Sequence, residues 1–252
     1  IFAASHSGGM IGTFLSRGKA RGIGFAGLVS VGNEVDLSIG EICAATLDDP
    51  GIDGYLLFLE TMRKADKLRA FALQAAARGK PVLAYKLGRS AAARELAVSH
   101  TGALAGEDDI AGMFLAECGI ARVDTLEGLI EGFPLLSRVP ARARGDRQPA
   151  VAVVTTTAGG ATMVVDPLAR AGIAVEPPSP QTLGRIKAST SIDVSPARII
   201  DLTLAGAQYN AMKGALDVLT TAPEFDLVVV VVGSSARFYP DLAVKPIIDS
   251  VG

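Results

Sequence analysis

Four stretches of strand length and almost wholly apolar character, residues 54–59, 81–85, 150–154 and 227–232, constrain this chain more than any other feature. A strand that is apolar at every position rather than at alternate ones has both of its faces covered. Segments with helical patterning lie between and around them, over residues 36–47, 63–78, 108–118, 125–136, 161–171 and 208–219. Shorter strands are expected at 1–5, 24–31 and 120–123. Strands alternating with helices of this length build βαβ units, so an α/β fold in three layers with mainly parallel sheets is expected. Sheets of that kind bind their ligands beyond the carboxyl ends of the strands.

The pattern is interrupted once. Residues 137–149 are rich in arginine, with prolines, a glycine and little that is apolar, which reads as a linker. It divides the chain into a first domain at 1–136 and a second at 150–252. Each domain opens with the same device. Ser5-His6-Ser7-Gly8-Gly9 follows the first strand and leads into a helix, and Thr155-Thr156-Thr157-Ala158-Gly159-Gly160 does the same in the second domain. A buried strand feeding a hydroxyl- and glycine-rich turn leaves the amides of the next helix start open to an anion. A tight strand-to-helix joint with no ligand is the simpler reading of either turn taken alone. The chain starts without an initiator methionine, and the expectation is a piece of a longer polypeptide whose second domain is cut at its C-terminus.

A formal net charge of -2 with no long block of either sign excludes a nucleic-acid or membrane-surface role. The longest apolar run is far too short to span a bilayer. Cys43 and Cys118 are isolated, with no metal-ligand spacing and no disulfide framework, which fits a reducing cytoplasm. No cluster of potential ligands argues for a resident metal.

There are two histidines, His6 and His100. The segment Ser99-His100-Thr101-Gly102-Ala103-Leu104-Ala105-Gly106 sets an imidazole among small residues, where a bulky partner can approach it and the backbone can turn sharply. Glu60, Lys86 and Arg89 follow apolar strands and belong to the same sheet edge.

The segment around His100 resembles the phosphohistidine segment of the NDP-forming acyl-CoA synthetases, relatives of succinyl-CoA synthetase. The turn at Ser5–Gly9 is similar to the family's Ser-x-Ser-Gly turn, usually with glutamine where this chain has His6. Lys86-Leu87-Gly88-Arg89-Ser90 resembles its Lys-x-Gly-Arg loop, and Thr157-Ala158-Gly159-Gly160 its second glycine-rich turn, usually with asparagine first. Val31-Gly32-Asn33, Asp201-Leu202-Thr203, Gly233-Ser234-Ser235-Ala236 and Val244-Lys245-Pro246-Ile247 are further familial stretches.

The resemblance implies two flavodoxin-like domains and an acid–thiol ligase that makes acyl-CoA, ADP and phosphate from a small carboxylic acid, CoA and ATP. His100 would be the phosphoryl carrier, with Glu60 fixing its tautomer and steadying charge on the ring. Ser5, Ser7, Gly8, Gly9, Thr157, Ala158, Gly159 and Gly160 would hold phosphate, the two turns converging on His100. Thr101, Gly102, Lys86 and Arg89 are auxiliary candidates, although the last two also read as a solvated loop. His6 is a competing nucleophile or a second phosphate ligand. No tightly bound cofactor is implied. CoA and ATP or ADP with Mg²⁺ are substrates, served by a CoA-binding domain and an ATP-grasp domain in the same polypeptide or a partner subunit. A homo-oligomer is compatible with this reading. A regulatory or binding module that keeps the fold without turnover is the alternative function.

Overall fold

The computed structural model describes residues 1–90, 92–93, 108–138 and 149–250, with the backbone alone at Ser235. The chain divides into two compact units, Ile1–Ala141 and Arg142–Gly252.

The first unit runs β1 (Phe2–Ser5), α1 (Gly9–Ala20), β2 (Gly27–Ser30), α2 (Ile39–Ala45), β3 (Tyr55–Leu59), α3 (Ala65–Ala77), β4 (Val82–Lys86), α4 (Asp108–Glu117), β5 (Ala121–Val123) and α5 (Leu126–Arg138). Its five strands are all parallel, in the order β2-β1-β3-β4-β5, which is the flavodoxin-like doubly wound arrangement. Strand β3 is central and buried at every position. Tyr55, Leu57 and Leu59 pack with Ile39, Leu68, Phe71 and Leu115 on one face of the sheet. Leu56 and Phe58 pack with Phe14, Leu129, Ile130 and Phe133 on the other. Each fully buried side chain of this size contributes about 1.5–3 kcal/mol, so an unbroken apolar run is what a two-sided core selects.

Local chemistry trims the elements from their expected lengths. Helix α2 begins only at Ile39, because Ser38 forms a reciprocal cap with Glu41: its hydroxyl accepts the Glu41 N–H, and the Glu41 carboxylate accepts the Ser38 N–H. In the first turn of α2, a Cβ on Gly40 would stand 2.5 Å from the Lys67 carbonyl carbon, so only glycine lets α2 lie against α3. Helix α5 continues through Ser137 and Arg138, and residues 139–148 of the expected linker lie outside the described residues.

The second unit runs β6 (Ala150–Thr155), α6 (Ala158–Arg170), β7 (Ala174–Val175), α7 (Pro180–Thr190), β8 (Ile199–Asp201), a 3-10 turn (Thr203–Ala207), α8 (Tyr209–Leu219), β9 (Leu227–Val231), a second 3-10 turn (Ser234–Phe238) and α9 (Pro240–Ile248). All its strand pairs are parallel and centre on β6. Val151 is in register with both Val175 and Leu227, and Val153 with both Ile199 and Val229. Strands β7 and β8 therefore share one edge of β6, and β9 takes the other. The two short strands fall in stretches with no expected strand; at two and three residues they are too short to leave a periodicity. Helix α9 also goes beyond expectation, with Pro240 in its first turn and Pro246 inside it.

Both units make the strand-to-helix joint the same way. The buried Ser5 hydroxyl, at the end of β1, accepts the Ser7 N–H at 3.0 Å and donates to the Ser7 carbonyl at 2.8 Å. The buried Thr155 hydroxyl, at the end of β6, accepts the Thr157 N–H at 2.8 Å and lies 2.9 Å from the Thr157 carbonyl and 3.0 Å from the Val231 carbonyl. Thr155→Val keeps the shape and removes the hydroxyl, leaving buried partners unpaired. It should cost the second unit about 1–3 kcal/mol, whereas Thr155→Ser should stay near wild type. Denaturant titration followed by circular dichroism checks this, and a Thr155→Val chain as stable as wild type would contradict the staple.

Glu224 fixes the start of α7, its carboxylate accepting the Ser179 N–H at 3.1 Å and the Thr182 hydroxyl at 2.6 Å. Burial pushes its pKa up, but these hydrogen bonds outweigh that and hold it at about 2 against an ordinary 4.5. A depressed carboxylate pKa stabilises the fold above the ordinary value, and that stability is lost as pH falls. The thermal midpoint of the second unit should drop between pH 4.5 and about 2, and Glu224→Gln should flatten that drop. An unchanged acid profile in the variant would show that Glu224 does not carry it.

Candidate functional site at the carboxyl edge of the first sheet

From β1 the chain turns out to β2 and then crosses to β3 on the other side of β1. The crevice beyond the carboxyl ends of β1 and β3 is thus the switch point, where doubly wound sheets bind ligands. His6 follows β1 and Glu60 follows β3, with Ser5 in register with Phe58 and the His6 N–H donating to the Phe58 carbonyl at 3.1 Å.

Four ionisable side chains are buried together at this edge: His6, Glu34, Glu60 and Lys86 are each 6–9 % exposed. The Glu60 N–H donates to His6 Nδ1 at 2.9 Å, and Lys86 Nζ donates to the Glu60 carbonyl at 3.0 Å and to the Leu87 carbonyl at 2.6 Å. With Nδ1 accepting, a neutral His6 carries its proton on Nε2. That nitrogen lies 3.4 Å from Glu34 Oε1, close enough for electrostatic attraction but not aligned as a hydrogen bond. Glu34 is aimed inward from a left-handed backbone, φ 52°, and the same oxygen accepts the Ile39 N–H at 2.8 Å. Burial pushes the Glu34 pKa up, yet His6 and the Ile39 amide more than offset it and hold the carboxyl below its usual range. Burial pushes the Lys86 ammonium pKa down, with the Asp108 carboxylate opposing.

Beside this cluster, Asp108 at the start of α4 pairs with Arg122 of β5, and Arg89 pairs with Asp124 and, at 3.8 Å, with Asp108. The Arg122 guanidinium bound to Asp108 keeps that carboxyl below its usual range despite partial burial. These pairs tie the loop leaving β4 to the residue opening α4.

Of the residues expected to act, Ser5, Ser7, Gly8, Gly9, Glu60 and Lys86 stand at this one edge. His100, Thr101 and Gly102, and with them the convergence of the two glycine-rich turns on His100, lie outside the described residues. Lys86 is the last residue of β4 rather than part of a solvated loop, and both its hydrogen bonds go to backbone carbonyls. Arg89 stands among carboxylates. The amides of Ser7 and Thr157 are taken by the Ser5 and Thr155 hydroxyls, leaving those of Gly8, Gly9, Ala158 and Gly159 as anion donors at the two helix starts. Sequence reasoning places Thr155 in the second turn without giving it a role of its own, and it misses Glu34. Aligning Ser5-x-Ser7 with Thr155-x-Thr157 finds that role, whereas nothing in the spacing of Glu34 signals an inward side chain.

A cavity of about 630 Å³ lies at the opposite, amino edge of the sheet beside Ile1, Gly24, Asp53 and Pro81, and holds none of these residues. Among the described residues no group of three or more His, Cys, Asp or Glu could hold a metal ion, and no helix is long and apolar enough to cross a membrane.

Residues 1–136 match the succinyl-CoA-ligase-like flavodoxin domain. The chain is 31% identical over 165 residues to a 4-hydroxybutyrate–CoA ligase (ADP-forming) of Nitrosopumilus maritimus, covering 65% of this chain and 23% of that protein. It is 25% identical over 233 residues to an acetate–CoA ligase (ADP-forming) of Archaeoglobus fulgidus, covering 92% and 33%. The dinucleotide-forming acetyl-coenzyme A synthetase 1 of Ca. Korarchaeum cryptofilum, solved with phosphate and ADP, superposes with a TM-score of 0.77 at 25% identity, over 99% of this chain and 53% of that one. The chain therefore spans about a quarter to a third of these curated relatives. Its first half places it in the succinyl-CoA-ligase-like flavodoxin family, and what it resembles are portions of longer ADP-forming CoA ligases.

Proposed function

We propose that this chain is the central, phosphoryl-carrying part of an enzyme that converts a small carboxylic acid, CoA and ATP reversibly into acyl-CoA, ADP and phosphate. The observation that supports it best is the burial of Glu60 at the switch point of the first sheet, with its peptide unit held on both sides. A carboxylate there can accept a proton from one nitrogen of a histidine ring and stabilise the ring as its charge rises. We assign that ring to His100. Its free nitrogen attacks the terminal phosphorus of ATP, the bond to the bridging oxygen breaks, and ADP leaves. The phosphoryl group then passes to a carboxylate oxygen of the acid, giving an acyl phosphate, and the CoA thiolate displaces phosphate from the acyl carbon. Every step moves a phosphoryl or acyl group without oxidant or reductant. The free amides at the starts of α1 and α6 are suited to phosphate oxygens. CoA and nucleotide–Mg²⁺ binding belong to other domains or subunits.

His6 is a poor competitor for the nucleophile. One ring nitrogen accepts the Glu60 N–H and the other is buried against Glu34.

In the enzyme assembled with its nucleotide- and CoA-binding parts, His100→Asn should abolish acid-labile labelling by radioactive ATP and all acyl-CoA formation. Glu60→Gln should slow phosphoryl transfer by about 10²-fold or more. Label that persists in His100→Asn and vanishes in His6→Asn would overturn the assignment. A wild-type assembly that binds nucleotide and never becomes labelled would favour the binding-module reading.

A further inference from the structure

The buried cluster under Glu60 assigns a task to a histidine that the phosphoryl-transfer reading leaves unused. We propose that His6 is a positioning residue, which with Lys86 clamps the Glu60 peptide unit and so aims the Glu60 carboxylate into the switch-point crevice.

Glu60 is the first residue beyond β3, where ladder hydrogen bonding ends and the peptide needs other partners. Its N–H goes to His6 Nδ1 at 2.9 Å and its carbonyl to Lys86 Nζ at 3.0 Å, so both polar atoms of one residue are held by buried side chains from the two flanking strands. The clamp is itself braced. The His6 N–H is fixed on the Phe58 carbonyl, Lys86 Nζ is shared with the Leu87 carbonyl, and Glu34 faces His6 Nε2 at 3.4 Å. Nδ1 can accept only while it carries no proton, so the clamp demands the Nε2–H tautomer, and that places the N–H on the side of the Glu34 carboxylate. Glu34 reaches this place from a left-handed backbone, φ 52°, which is uncommon for a residue with a side chain. A charged side chain in such a backbone, aimed at a buried imidazole, is the sort of local cost that a functional constraint explains.

A residue that merely filled space at position 6 could be replaced by any side chain of similar size. A clamp needs an acceptor at the place of Nδ1. Asparagine puts its Oδ1 there, the same number of bonds from the backbone, and leucine puts a methyl group there. The pair His6→Asn and His6→Leu therefore separates volume from hydrogen bonding.

The test starts from the wild-type 252-residue chain, uniformly ¹⁵N-labelled. A through-hydrogen-bond coupling between the Glu60 amide nitrogen and His6 Nδ1 is expected, with His6 as the Nε2–H tautomer. A ring protonated on Nδ1 at neutral pH, or no coupling, overturns the clamp without any variant. Hydrogen exchange at the Glu60 amide should then speed up by about tenfold or more in His6→Leu and return toward wild type in His6→Asn. Equal exchange in all three overturns it as well.

The functional consequence rests on the phosphoryl-transfer reading. In the assembled enzyme, His6→Leu should lower the rate of labelling at saturating ATP with KM for ATP unchanged, and His6→Asn should restore the rate. A raised KM with an unchanged rate would show that the site acts on nucleotide binding instead, and would overturn the positioning role. If the wild-type assembly never takes up label, the phosphoryl-transfer reading fails, while the coupling and exchange measurements still decide the clamp.

Discussion

A strand that is apolar on both faces has nowhere to put chemistry except its ends. Strand β3 is buried at all five positions and β6 at all six, so polar function in each unit is pushed to the edges of the sheet. The parallel direction of every strand decides which edge. The stretches that leave β1, β2 and β3, and the last residue of β4, bring His6, Glu34, Glu60 and Lys86 to one side of the first unit, where helix starts present unpaired amides.

Burying those four side chains together is costly unless each finds partners, because desolvation disfavours the charged forms. The cost is offset mainly through the backbone. Lys86 is bound by two carbonyls, Glu34 by the Ile39 amide, and His6 by the Glu60 amide. Each of these three side chains thus stabilises a peptide group just beyond a strand or at a helix start, and the cluster stiffens the loop ends that a ligand would meet. The second unit reaches a similar result with less charge, through Thr155 bonded to its own turn and to Val231 of β9.

Much of this was legible in the sequence because burial writes itself as continuous apolar runs. Residues 54–59 and 150–154 announce the buried strands β3 and β6, whereas the equally apolar run of β9 is only half-buried along its length. The repeat of hydroxyl and glycine residues after two of the strands announces the two joints. Glu60 is visible as the first charge after such a run. The strands Ala174–Val175 and Ile199–Asp201 were not legible, since they add register to β6 without a pattern of their own. Glu34 was invisible for a different reason. Its place depends on a left-handed backbone and on a histidine 28 positions earlier in the chain, and no local periodicity encodes either. Lys86 reads from sequence as a loop cation, and only the β3–β4 register, which sets it beside Leu59, shows that its amine lies over the Glu60 carbonyl.

We propose that this edge serves a phosphoryl group carried by His100 and oriented by Glu60, with His6 in a supporting place. The most direct measurement is to incubate the assembled enzyme with ATP, digest it at alkaline pH where phosphohistidine survives, and locate the phosphate by fragmentation mass spectrometry. Phosphate is expected on the peptide containing His100 and none on the peptide containing His6. Phosphate on His6, or on no histidine while acyl-CoA is still formed, would contradict the proposal.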